Sequence, residues 1–575
     1  INNMLHPSYS ELIQAINNNA EEDDNTMMLN SRYSLVLATS KRARQLIAGA
    51  EPLVPNAADK KPLSVAIDEL YKGEVKIVAA ESDEETTAPA TEEASETVSA
   101  PEEELVQYLY QLKTMIRRQL SSDYVLSGDF MKILFISLGC DKNLSDSEEM
   151  LGLLTANGHE IVDSEEEADV IVINTCCFIH DAKEESVNTI LEMAEYKKSG
   201  TCKALIVTGC MAQRYKEEIT QEIPEVDAVL GTTSYGDIVK ALNEVQAGNV
   251  FQEFRDINEL PEDCGRRVIT TGGHFGYLKI AEGCDKHCTY CIIPSLRGKF
   301  RSVPEERLLK QAEYMASQGV KELILVAQET TVYGTDLYGK KTLHLLLKKL
   351  CQIRGIRWIR VLYCYPEEIY DELIQVMKEE PKICHYLDLP IQHASDKILR
   401  RMGRRTSKQQ LIDIITKLRH EIPDIVLRTS LITGFPGETE EDHQELMEFV
   451  DEMEFDRLGV FTYSPEEGTP AETMEGQVPE EVKEARRDEI MELQQEISLD
   501  KGNDRIGQEV LVMIEGKVSG ESAYIGRTYG DAPKVDGYIF VQTGELLVTG
   551  DFAKVTVTGA LEYDLIGELT DEYTK

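Results

Sequence analysis

Short aliphatic runs closed by glycine or polar residues recur through the middle of the chain, at 132–138, 170–174 and 204–208. Each is apolar and β-branched at consecutive positions, as a strand buried on both faces of a parallel sheet must be. Helical spacing fills the intervals at 146–157 and 182–196. Six further runs follow at 277–281, 323–327, 358–363, 386–391, 426–433 and 458–463, again alternating with helical segments. That alternation predicts a parallel α/β sheet curved into a partial barrel, with its chemistry in the loops at the strand carboxyl ends. Beyond it, 479–501 reads as a charged helix. From 507 to 569 the pattern changes to short alternating runs with glycine turns (509–514, 537–541 and 552–557), the signature of a small β-barrel.

The first 130 residues are written differently. Asn30-Ser31 offers a cap for a helix running to about Ile47, with Gly49 just past its end, which predicts a small helical module over 1–79. Lys41-Arg-Ala-Arg44 is its cationic stretch, either a solvated face or an interaction patch. From 81 to 104 the text is Glu, Ser, Thr, Ala and Pro, with no Lys or Arg between 77 and 112. Low hydrophobicity with like charge cannot bury a core, so 80–130 is predicted as a disordered linker with one further helix at 104–120. The fold class is therefore multidomain α/β. A doubly wound, Rossmann-like domain takes 131–248, a partial (β/α)6 barrel 270–502 and the terminal β-barrel 503–570.

Cysteine placement supplies the chemistry. Cys284, Cys288 and Cys291 stand in a C-x-x-x-C-x-x-C run directly after the first barrel strand. Thiolates suit iron–sulfur clusters, and three of them leave one iron of a 4Fe–4S cube open. A structural zinc would want a fourth ligand, and His287 sits inside the run rather than at finger-like spacing. Cys140, Cys176 and Cys210 follow the three runs of the first domain, about 35 residues apart, roughly one βα unit each. They thus emerge at the carboxyl ends of parallel strands, where open α/β sheets place their sites. One such thiol reads as core; three in register read as ligands of a second cluster. Of the six other cysteines, Cys202, Cys264, Cys351, Cys364 and Cys384 lack cluster spacing, and Cys177 is the one rival ligand.

Ser137-Leu-Gly-Cys-Asp-Lys-Asn143, Asp146-Ser-Glu148, Asn174-Thr-Cys176, Thr208-Gly-Cys210 and Cys284 to Cys291 together resemble the methylthiotransferase family of radical-SAM enzymes, from Met131 to the C-terminus. Met131 is where an ordinary member would begin. Cys177-Phe-Ile179, Tyr363-Cys-Tyr-Pro-Glu-Glu368 and Leu387-Asp-Leu-Pro-Ile-Gln-His393 look like the branch that modifies an aspartate of small-subunit ribosomal protein twelve. The resemblance implies two 4Fe–4S clusters and S-adenosylmethionine (SAM) as cofactors. It implies that Gln328-Glu329, Gln392-His393 and Gly434-Phe-Pro-Gly-Glu438 hold SAM, with Glu329, Gln392, Gly434 and Glu438 as its contacts. It also implies a TRAM module at the end of the chain. In the implied mechanism, sulfur on the first cluster is methylated by one SAM. A second SAM, cleaved at Cys284/Cys288/Cys291 with an electron from a donor, yields a radical that opens the aspartate β-carbon to that sulfur.

Ser31 to Leu46, Lys61-Pro-Leu63 and 66–70 resemble the omega subunit of bacterial RNA polymerase, which implies a non-catalytic module docking on the polymerase core. Two adjacent genes read as one chain would explain the join, and Ile1 in place of a methionine leaves the start open. A net charge of −43 argues against a general nucleic-acid binder. The terminal barrel carries Glu509, Glu515, Glu521, Asp531, Asp536, Glu545, Asp551, Glu562, Asp564 and Glu568 against few cations, which suits a basic protein substrate. A transfer-RNA methylthiotransferase and a polymerase-associated binding protein with a vestigial enzyme part remain the alternatives. No apolar run is long enough to span a membrane, no signal peptide opens the chain, and clustered cysteines suit a reducing compartment. A cytoplasmic bacterial protein is the expectation.

Overall fold

The computed structural model describes residues 130–200, 202–262, 265–519 and 521–574, together with isolated positions between 42 and 75. The chain divides into two compact units, 1–122 and 123–575. In the first, Arg42, Val65, Glu69 and Leu70 are helical. Glu69 is fully buried, accepting from Arg42 Nε at 2.5 Å and from the Leu53 amide at 2.7 Å, while Val54, Val65 and Leu70 are buried. The linker and the helix expected at 104–120 lie outside the described residues, as does the 30–47 helix apart from Arg42.

The second unit opens with a parallel six-stranded sheet. Its strands are β1 (Lys132–Ser137), β2 (Glu160–Val162), β3 (Val170–Thr175), β4 (Ala204–Gly209), β5 (Ala228–Leu230) and β6 (Phe251–Glu253), in the order β2-β1-β3-β4-β5-β6. β3 and β4 are buried at every position, which is why their sequences are unbroken aliphatic runs rather than alternations. The order turns round at β1, so a crevice opens between the carboxyl ends of β1 and β3. Helix α1 (Asp141–Ala156) starts five residues earlier than its spacing predicts. Its first residues are polar, yet Lys142, Asn143, Ser145 and Asp146 are buried. Helices α2 (His180–Ser199) and α3 (Cys210–Glu222) follow β3 and β4.

A second parallel sheet holds β7 (Phe275–Lys279), then β10 (Glu322–Val326), β11 (Trp358–Val361), β12 (Ile383–Asp388), β13 (Val426–Thr433) and β14 (Arg457–Thr462), in sequential order. Between β7 and β10 a small pair, β8 (Ala281–Glu282) and β9 (Arg301–Ser302), brackets the cysteine loop. The strands alternate between two cores with period two. Leu323, Leu325, Ile359 and Val361 face the surrounding helices, whereas Ile324, Val326, Trp358 and Tyr386 face Met513, Ala532 and Phe552 of the terminal barrel. That barrel is closed, in the order β15 (Glu509–Lys517), β16 (Ala523–Arg527), β17 (Ile539–Gln542), β19 (Leu565–Thr574) and β18 (Phe552–Ala560). No helix among the described residues is long and apolar enough to cross a membrane, and the eleven described cysteines are unpaired.

The acidic charge expected on the terminal barrel is partly misassigned. Glu515 and Asp531 bind cations at the contact with the sheet rather than solvent, and so does Asp536. Arg527 bridges Glu515 and Glu322 at 2.7 Å each, and Glu322 also takes Arg360 at 2.8 Å, with Arg360, Arg527 and Glu322 all fully buried. Arg457 meets Asp531 at 2.5 Å, and Tyr386 donates to Asp536 at 2.7 Å. These carboxylates belong to the docking of the two domains. Burial opposes ionisation of Glu322, but Arg527 and Arg360 overcome it and hold its carboxyl below the ordinary value. Glu322→Gln leaves two buried guanidinium groups short of a carboxylate and should cost about 3–5 kcal/mol at neutral pH, read as a lower urea midpoint. Because the folded pKa is depressed, the parent's advantage is full above the ordinary value of 4.5 and shrinks as pH falls through the folded one.

Candidate functional site

All three thiols of the first domain sit at one sheet edge. Cys140 precedes the first turn of α1, Cys176 follows β3, and Cys210 opens α3 directly after β4. Two of them therefore stand at helix N-termini, where the backbone dipole favours a thiolate. Gly139 has φ of +86°, and a Cβ there would lie 2.8 Å from Cys176 Cβ, so only glycine lets the β1 loop close on its neighbour. Asn143 fastens the edge: its Nδ2 donates to Leu138 O at 3.2 Å and Thr175 O at 3.0 Å. Asn174 Nδ2 in turn donates to Asn143 O and Ser147 Oγ, both at 2.9 Å. Cys176 and Cys210 each feel the charge of Cys140. Cys177 lies beside Cys176 and Cys210 as well, but no interaction with Cys140 marks it. It is fully buried among Ile173, Ile190 and Val207, on the core side of the sheet.

The barrel's triad is built from a tight loop. Cys284 N donates to Gly298 O at 3.1 Å and Cys291 N to Cys288 O at 3.0 Å, while Thr289 N ties the loop to Met402 O at 2.9 Å. His287 adopts φ of +52° to make the bend. Burial pushes the Cys284 thiol up to about 11 and Cys176 and Cys291 up to about 12. Buried thiols of this kind ionise at little cost only when a metal takes the sulfur. Donors already point at them from the amides of Phe178, Lys286 and Ile293, and the Arg297 guanidinium lies 3.6 Å from Cys210 Sγ. Among the described residues no three donors close on one point as a single ion requires. Thiols spread over the corners of a cluster need not, and hydrogen-bonded cysteine sulfurs are what such clusters use. The residues present fit the group.

One strand end reaches both triads. Tyr363, in the left-handed region at φ of +59°, donates to Asp141 Oδ2 at 3.2 Å beside Cys140, with Lys142 Nζ 3.3 Å over its ring. Two residues on, Tyr365 Oη lies 3.5 Å from Cys288 Sγ, and the Arg404 guanidinium stacks 4.2 Å over that ring. Holding a tyrosine in the left-handed region costs of order 1–3 kcal/mol. The pair thereby spans the gap between the two sites.

The residues expected at SAM separate into unlike environments. Glu329 is buried, accepts from Thr331 N at 2.9 Å and from its hydroxyl through Oε1, and leaves Oε2 without a hydrogen-bond partner, 3.9 Å from Lys286 Nζ; burial pushes it up to about 7. The side-chain oxygen of Gln328 is likewise unmatched. Gln392 holds φ of +73° where β12 and β13 meet, its N donating to Ser430 O. His393 accepts from Ser395 N at Nδ1, and burial holds it down to about 3, so the ring is neutral with Nε2 unmatched. Glu438 is satisfied within the protein, accepting from Phe435 N and from Arg486 Nη1, each at 3.0 Å. Gly434, at φ of +70°, lies against Lys483, whose Cγ a Cβ would meet at 2.1 Å. Arg297, Tyr365 and Arg404 carry site contacts that the cysteine spacing does not reveal. A lone cation in the apolar turn Ile293-Pro-Ser-Leu-Arg297 is the one signal that marks Arg297.

Comparison with known proteins agrees with this layout. Residues 132–231 match the model of uncharacterized protein family UPF0004, 278–450 the radical SAM superfamily, 506–570 the TRAM domain and 27–77 RNA polymerase Rpb6. The ribosomal protein uS12 methylthiotransferase RimO of Lachnoclostridium phytofermentans is 65% identical over 437 residues, 76% of this chain and 99% of that protein. The protein of the same name from Clostridium botulinum strain Langeland is 51% identical over 445 residues, 77% of this chain and 99% of that one. A solved radical S-adenosylmethionine methyltransferase, TsrM from Kitasatospora setae, is 14% identical with a TM-score of 0.45, covering 60% of this chain and 74% of its own. At such identity over nearly the whole length of its relatives, the chain belongs to the RimO family of radical-SAM methylthiotransferases.

Proposed function

We propose that this chain transfers a methylthio group to the β-carbon of an aspartate in ribosomal protein uS12. In this reading Cys140, Cys176 and Cys210 hold one 4Fe–4S cluster, and Cys284, Cys288 and Cys291 hold the one that receives SAM. The observation that carries it is the pair of thiol triads reached from one strand end by Tyr363 and Tyr365. When bound, the clusters and SAM supply the transferred sulfur and methyl, the electron, and the capacity to remove hydrogen from unactivated carbon. The protein's own part is holding and excluding. Gly139 and Asn143 fix the first triad, and the 284–291 loop is clamped through Thr289 to Met402. Oε2 of Glu329, which accepts no hydrogen bond within the protein, is an acceptor for the ammonium of SAM, while Glu438 and Gly434 brace the loop after β13 from behind. The uS12 assignment of the relatives supports the substrate. An electron donor must supply the reducing equivalent.

The reading is tested on anaerobically reconstituted protein. Cys176→Ala should drop iron from about eight to about four per chain, abolish the methylthio mass increment on uS12, and still yield 5′-deoxyadenosine from SAM. Cys288→Ala should abolish both products. An increment on transfer-RNA adenosine rather than uS12 would overturn the substrate.

Glu329→Gln removes a charge-assisted acceptor worth about 1.5–3 kcal/mol, so SAM affinity by calorimetry should weaken about ten- to hundred-fold. Glu438→Gln, whose oxygens are already matched, should shift it far less.

For residues 27–77 the Rpb6 match supports a non-catalytic docking role on RNA polymerase. The full chain should then be retained by immobilised polymerase core, and a chain lacking residues 1–79 should not.

A further inference from the structure

We propose that Arg297 is a positioning residue that ties the two triads together and supplies the counter-charge for the cluster of Cys140, Cys176 and Cys210, an inference that rests on the cluster reading above. Arg297 closes the short helix Ile293–Arg297, directly after the loop carrying Cys288 and Cys291, yet its side chain ends in the other domain. Nη2 donates to Asn143 Oδ1 at 2.6 Å and lies 3.6 Å from Cys210 Sγ, while Nη1 donates to Asp146 Oδ2 at 2.8 Å. The group is 3% exposed. A second strut accompanies it, from Thr232 Oγ1 to Leu296 O at 2.9 Å.

The surrounding charges explain why a guanidinium is needed. Asp146 and Glu282 are the carboxylates here; Lys279 binds both, and Arg297 stands 3.5 Å from Glu282. Arg301 adds a further cation, its Nη1 donating to Arg297 O at 3.1 Å. Lys279 is the cation that binds both carboxylates, which leaves Arg297 shared between Asp146 and the thiol edge. The guanidinium is the cation that touches a thiol of the triad, with Nη2 3.6 Å from Cys210 Sγ. A cation that also donates to a cysteine sulfur stabilises the more negative state of a cluster, which raises its reduction potential and favours an added anionic sulfur at an open iron. The fork matters as well. One planar group reaches Asn143, Asp146 and Cys210 at once, which an ammonium cannot do.

The experiment compares the full chain with Arg297→Gln and Arg297→Lys, each reconstituted anaerobically. Redox titration followed by electron paramagnetic resonance reads each cluster separately. Desalting after sulfide loading reads retained sulfur. Arg297→Gln should shift the auxiliary midpoint to more negative potential and cut retained sulfide about tenfold. Arg297→Lys should shift the midpoint less. The midpoint at Cys284/Cys288/Cys291, and 5′-deoxyadenosine formation with a strong reductant, should stay at parent values. Full iron loading with the parent's auxiliary midpoint and g-values in both variants would overturn the proposal. So would loss of both clusters with a collapsed thermal transition in both, which assigns Arg297 to folding alone. Selective loss of the auxiliary cluster, with the other intact, supports it. A parent chain that binds one cluster would overturn the site reading instead.

Discussion

Two sheets that each bring three thiols to an edge are of use together only if those edges are held face to face. The buried charges Asp146, Lys279, Glu282 and Arg297 impose that constraint. Asp146 comes from the first helix of one domain, the other three from the start of the next. Breaking such a set by removing one member leaves an uncompensated ion out of water, which is far more costly than never having formed it. The relative placement of the triads is thus fixed by charge neutralisation beside the apolar contact that Ile292 and Leu296 make with the first domain's core. The tyrosines at the end of β11 then reach across a gap whose width is already set.

Much of this was legible in the sequence, for a physical reason. Strands buried on both faces cannot carry polar residues, so β3 and β4 declared themselves, and a cysteine just past such a strand has one place to go. Cysteine spacing in the 284–291 loop was local and therefore readable. What was hidden depended on partners distant in the chain. Asp531 and Asp536 looked like surface charge because Arg457 lies 74 residues before one of them and Tyr386 150 before the other. The helical spacing was legible only from residue 146, and only the contacts of Asn143 to Thr175 and of Asp146 to Arg297 and Lys279 reveal why these polar residues are buried.

The candidate SAM residues show the same limit from the other side. Glu329 and Glu438 both follow barrel strands, and burial raises both to about 7. Sequence gives them equal standing. Geometry separates them, since one has an oxygen without a hydrogen bond and the other has both oxygens bonded. An unmatched polar atom in a well-packed interior is a stronger pointer to a ligand than either residue type or perturbed acidity.

The terminal barrel's ion pairs carry a consequence for synthesis. Arg457 finds its carboxylate on residue 531, and Glu322 its second guanidinium on residue 527. Both partners leave the ribosome well after the strands they complete. Until then the half-barrel holds charged side chains with incomplete partners, and cannot settle into its final packing. A message broken upstream of β15 therefore gives a protein that never completes its interior. Such a product keeps apolar surface and unpaired charge exposed.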